Sequence, residues 1–139
     1  MISRMKYAPK LWATITYFLL MAVALLLMQA RKSKTLQLDF LNNNFHEFYT
    51  HISNFSLSLL LLSIVGYIWL LTGLGIKHIT LLTLGVIIIN FVYELFIPVL
   101  NTPDPIDAWF GVAGCVVGWL FLILVKKFGL KDIPKKEEK

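Results

Sequence analysis

The sequence predicts an all-α, polytopic membrane protein: a four-transmembrane-helix bundle with a short interfacial helix between helices one and two. Three observations predict it. The chain is 58% hydrophobic with a mean hydropathy of +0.73, above the apolar share of an average soluble domain. Its apolar residues gather into four stretches, each close to the ~20 residues that cross a ~30 Å hydrocarbon core. Those stretches are almost free of charge. The first two have none, the third carries Glu94, and the fourth has Asp107 in its first turn and Lys126 at its end. A segment in lipid must satisfy its own backbone, so each is expected to be a helix. With 139 residues there is room for one domain. Residues 1–130 form a four-helix transmembrane domain with spans near 11–29, 52–74, 79–99 and 106–126, and residues 131–139 form a charged cytoplasmic tail.

Arg4, Lys6 and Lys10 precede the first span as they would a signal peptide. However, the apolar run is longer than an ordinary signal core and Gln29-Ala30-Arg31-Lys32 is a poor cleavage site, so the helix is expected to be retained. In the 31–51 connection, Leu41, Phe45, Phe48 and Ile52 recur on one helical stripe. This predicts an amphipathic helix that lies on the outer interface and runs into the second span. The same stretch holds His46, Glu47 and His51. The two histidines are one residue further apart than the i, i+4 spacing that turns both imidazoles to one side, so no metal site is expected and the three side chains are read as interfacial. In the second span, Ser56, Ser63 and Gly66 form a small-residue stripe suited to packing. Gly73 and Gly75 mark a tight turn into the third span.

Glu94 is the most informative residue. A carboxylate on a spanning helix costs on the order of 2–3 kcal/mol at the centre and less near the interface, so it is expected to face the bundle interior or a polar cavity. Asn90 stands one turn earlier on the same face, a natural hydrogen-bond partner. Pro98, Pro103 and Pro105 end the third span and start the fourth, with Asp104 and Asp107 between and after them. Turn and capping chemistry accounts for both aspartates, and Asp107 is favoured by the helix dipole. Together Asn90, Glu94, Asp104 and Asp107 are the candidate binding cluster. Gly111, Gly114 and Gly118 lie on one stripe of the fourth span, where glycine lets a neighbouring helix approach closely. Packing within the bundle is favoured over packing between copies, against the Glu94 end of the third span. Cys115, the single cysteine, excludes an internal disulfide and reads as a small packing residue.

Orientation follows from the basic residues. Arg4, Lys6, Lys10, Lys77 and six from Lys126 onward make ten on one side, against Arg31, Lys32 and Lys34 on the other. Ten against three places both termini in the cytoplasm. The basic tail lacks interleaved aromatics, which excludes a nucleic-acid surface and leaves anionic lipid as its partner. No nucleophile-and-base constellation, phosphate loop or paired-cysteine site is present, so no catalysis and no cofactor are expected.

The stretch from Ile89 to Leu120 resembles the VanZ-like family of small bacterial membrane proteins. The matching features are Glu94 late in one span, the acidic outer loop Thr102-Pro103-Asp104-Pro105-Ile106-Asp107, and Gly114 with Gly118 in the last span, with Asn54-Phe55 a weaker match. Family members often carry Gln, Arg and Asn where this chain has Ile97, an Arg-free loop and Gly111. The resemblance implies an inner-membrane protein that influences envelope or antibiotic sensitivity by binding. Two other classes stand beside it. One is a small transporter or proton-pathway subunit using Glu94, which the apolar run Gly85-Val86-Ile87-Ile88-Ile89 disfavours. The other is an accessory subunit that meets a larger membrane protein through its glycine face and basic tail.

Overall fold

A computed structural model describes residues 5–45, 47–96 and 104–134. The sequence features at Arg4, His46, Ile97, Pro98 and 101–103, and the tail 135–139, lie outside the described residues.

The four apolar stretches are four helices: α1 (Leu11–Lys32), α3 (Phe48–Leu71), α4 (Ile76–Phe96) and α5 (Pro105–Leu124). A wide turn, Val125–Gly129, extends α5. Counted with that turn, the spans have 22, 24, 21 and 25 residues, roughly 31–38 Å at 1.5 Å per residue, enough to cross a bilayer. Each starts within four residues of its expected place, α3 differing most by beginning at Phe48 rather than 52.

Between the first two spans the expectation needs correction. A short helix α2 (Asp39–Asn44) follows a single 3-10 turn, Lys34–Leu36, but it does not run into α3. Phe45 leaves helical geometry and Glu47 stands at φ 69°, so the stripe from Leu41 to Ile52 is broken. The run Asn42-Asn43-Asn44 explains the stop: asparagine side chains compete for backbone groups, as Asn44 does by donating to the Phe40 carbonyl at 2.7 Å. The break turns His51 inward. It is 4% exposed, not interfacial.

Two short strands were not expected. β1 (Tyr7–Pro9) pairs antiparallel with β2 (Leu130–Asp132), Tyr7 opposite Asp132 and Pro9 opposite Leu130. Lys10 N–H donates to Gly129 at 2.7 Å and Ile133 N–H to Lys6 at 3.2 Å, extending the seam. Lys131 and Asp132, assigned to the tail, therefore belong to the folded part. Lys6 N–H also donates to Leu71 at 2.9 Å, which brings the α3–α4 turn to the same end of the bundle. In that turn Gly73 sits at φ +99°, with Lys6 Cδ 2.9 Å from where a Cβ would be. Gly73→Ala is expected to lower stability by about 1–2 kcal/mol, the cost of a left-handed non-glycine residue. Unfolding in mixed detergent micelles measures it, and an unchanged midpoint would contradict the strain.

α3 is the central helix. Of its most apolar window 44% is buried, against 11% for α1, and it packs on α1, α4 and most extensively α5. Glycines of α5 set that contact. A Cβ on Gly114 would lie 2.2 Å from the Phe55 carbonyl oxygen, and one on Gly118 would press Leu62, Leu59 and Ser63. Gly66 on α3 reciprocates by seating Leu122. The glycine stripe thus packs within the bundle, as expected, but chiefly against the second span. Only Gly111 faces the third, where it leaves room for the Asn90 amide. Cys115 is fully buried. Large apolar side chains such as Phe18, Ile88 and Trp109 are exposed around the outside, a surface suited to lipid.

Candidate functional site

At the end of the bundle away from the strands, α1 and α4 flank α3 without packing extensively on each other among the described residues. The space between them is a cleft of about 700 Å³. α1 contributes Arg31 and Lys32 from its last turn, where cations suit the helix dipole. α3 forms the floor with Ser53, Asn54 and Leu57; α4 brings Ile89, Asn90, Tyr93 and Glu94; α5 adds Asp107. Leu57 and Ile89 are exposed, so the cleft opens sideways toward lipid.

Glu94 is 4% exposed. Asn54 Nδ2 donates to its Oε1 at 3.1 Å, so the carboxyl has the polar company that a spanning helix requires. One turn down, Asn90 Nδ2 donates to Ser58 Oγ at 2.9 Å. Asn54 and Ser58 are themselves one turn apart, so α3 and α4 meet through two polar rungs. Arg31 donates to Ser53 Oγ and is held over the floor. Below the rungs the lining turns apolar. A second groove, about 460 Å³, runs between α3 and α4 past Leu61, Gly85 and Leu82, and shares Ile89 with the cleft.

The acidic residues do not meet at one point. Asp104 caps α5, its Oδ1 accepting from Ile106 N–H at 2.9 Å, as the turn chemistry predicted. Asp107 Oδ1 lies 2.7 Å from His51 Nδ1, and Asp104 Oδ2 is 3.6 Å from the same nitrogen. Glu94 accepts from Asn54. Asn90, Glu94 and Asp107 therefore share the cleft, whereas Asp104 stands with Asp107 at its rim. Sequence reasoning missed His51, Arg31 and Ser58 as parts of this region. Asn54 was visible only as a weak element of the resemblance, His51 was noticed but read as interfacial, and nothing local in the sequence marks Arg31 or Ser58.

Fold and lipid-facing surface together define a multi-pass membrane protein with a polar cleft near one end. No protein-family model, curated protein or solved structure matches the chain.

Proposed function

We propose that the chain is a VanZ-like protein of the bacterial inner membrane, with both ends cytoplasmic, that binds the polar head of an envelope amphiphile in the cleft. The observation that carries this reading is one cleft holding a buried carboxyl and two cations, next to an apolar groove that shares Ile89 with it. Arg31 and Lys32 suit an anionic group such as a phosphate, while Glu94 and Asn90 suit an amine or hydroxyl donor. From Glu94 to His78 the cleft and the groove together follow roughly 24 Å of helix, longer than one leaflet's ~15 Å share of the hydrocarbon core. That length fits an acyl or prenyl tail.

Other observations support the reading. Asn54 and Phe55, part of the resemblance, are the residues that meet Glu94 and Gly114. Position 111 and the outer loop lack the amide and guanidinium that family members often carry, yet Asn90 lies against Gly111 and Arg31 lines the cleft from α1. The orientation rests on ten basic residues against three, with both strand-forming ends of the described chain at one end of the bundle. Binding without catalysis is the function proposed.

The test uses the purified full chain offered phosphatidylethanolamine or diacylglycerol, with bound lipid read by native mass spectrometry. Preferential retention of the phosphatidylethanolamine is expected. Glu94→Gln and Arg31→Ala should each weaken it about tenfold, the equivalent of one lost charge contact near 1.4 kcal/mol. Equal retention of both lipids by wild type and variants would end the proposal. In cells, Glu94→Ala is expected to change sensitivity to envelope-directed antibiotics at unchanged protein level.

A further inference from the structure

We propose that His51, Asp104 and Asp107 form a binding site for a single divalent transition-metal ion of the zinc class at the rim of the bundle. The three residues come from the first turn of α3 and the N-terminus of α5. One ligand atom from each lies within 4.8 Å of the others. Zinc holds nitrogen and carboxylate oxygen at about 2.0–2.2 Å, so ligand atoms in a tetrahedral site stand roughly 3.3 Å apart. The distances from His51 Nδ1 to Asp107 and Asp104, 2.7 and 3.6 Å, bracket that separation.

The second observation is the other face of the ring. His51 is 4% exposed, and its Nε2 is buried without a hydrogen-bond partner. The nearest carboxylate to it is Glu47 Oε2, at 3.6 Å. A neutral imidazole that donates from Nδ1 to Asp107 leaves a buried lone pair on Nε2 facing that carboxylate, which is unfavourable. Metal on Nδ1 forces the proton onto Nε2, which then points at an acceptor. This is the carboxylate–histidine–metal arrangement that fixes the ring and raises its basicity. Charge agrees as well. Two carboxylates beside one neutral imidazole are balanced by a divalent cation, and repulsion between the two acids is removed.

The ligands are held from outside the cluster. The second oxygen of Asp104 is tied to Ile106 N–H, and the imidazole lies against the Phe110 ring at 5.5 Å between centroids. Three protein ligands leave a fourth position for water or an exogenous donor. The pattern His46-Glu47-x-x-x-His51 is not the source of this site: its ligands lie more than fifty residues apart in sequence, and Glu47 serves outside the metal's own shell. The site stands independently of lipid binding in the cleft.

The test takes the full chain in detergent, with a purification tag free of histidine, stripped of metal and titrated with Zn²⁺ alone and with Co²⁺ alone. One Zn²⁺ per chain is expected, with Co²⁺ giving the visible absorption of a tetrahedral site and Zn²⁺ raising the thermal midpoint. His51→Gln, Asp107→Asn and Asp104→Asn should each weaken binding about tenfold or more, while His46→Ala and His78→Ala leave it unchanged. Asp104→Asn keeps the helix cap, so its effect is readable even if the other variants fold poorly. No binding above a protein-free detergent blank would overturn the proposal. So would binding that survives Asp104→Asn, or that follows His46 rather than His51.

Discussion

Gly114→Ala is expected to lower the stability of the bundle by about 3 kcal/mol, the upper part of the range for overpacking a filled interior. The added Cβ would stand 2.2 Å from the carbonyl oxygen of Phe55 and 2.9 Å from its carbonyl carbon. These are backbone atoms of the central helix and have no rotamer to escape into, so α5 and α3 must move apart along their largest contact. The consequence reaches the cleft, because Asn54 and Phe55 are neighbours: pushing Phe55 away also displaces the amide that serves Glu94. Gly114→Val should prevent the protein from accumulating at all. Gly85 provides the control. Nothing lies within 4 Å of a Cβ placed there, so Gly85→Ala is expected to be neutral or to stabilise by about 0.5–1 kcal/mol through helix propensity. Reversible unfolding in mixed micelles measures the two alanine variants, and the amount of protein in the membrane fraction measures Gly114→Val. A Gly114→Ala protein as stable as the wild type would show that the helices are not held at this distance.

His51→Ala is expected to be nearly as damaging in the absence of added metal, at about 2–4 kcal/mol. It removes a hydrogen bond to a carboxylate, worth about 1.5–3 kcal/mol, and leaves a space beside Phe110. It also strands Asp107, whose side chain is 18% exposed. A double-mutant cycle with Asp107→Ala isolates the pair. The double variant should recover part of the loss, with a coupling energy of about 1–3 kcal/mol for groups in direct contact. Strict additivity would mean that the two side chains do not interact, and would leave Asp107 to a capping role alone.

How much of this was legible in the sequence depends on the range of the signal. The four spans were readable because length and hydropathy are local properties of a chain in lipid. The glycine stripe on α5 was readable as a packing face for the same reason, since its spacing lies within one helix. The helix it packs against was not, because partner choice is a contact between distant segments. Glu94 announced itself by its cost, which implied polar company; Asn54 donates to it, and Asn90, expected as its partner, donates to Ser58. The amphipathic stripe from Leu41 to Ile52 misled because its period continues through residues that break the helix. Three asparagines and a left-handed Glu47 decide the geometry there, and they turn His51 from the interface into the rim. Arg31 was counted as a topological charge, and nothing in its own turn indicates that it overhangs a cleft.

The strand pair at the other end has a bearing on the order in which the molecule is put together. Its partners precede the first span and follow the last, so they can meet only after all four spans have been threaded through the bilayer. Long separation in sequence makes such a closure slow as well as late. Until then the start of α1 lacks its ties to Gly129 and β2, and the helix with the smallest interior share is tethered mainly by its packing on α3. The chain therefore resembles a purse whose clasp shuts last, and the helix that walls one side of the polar cleft is the one that the clasp secures.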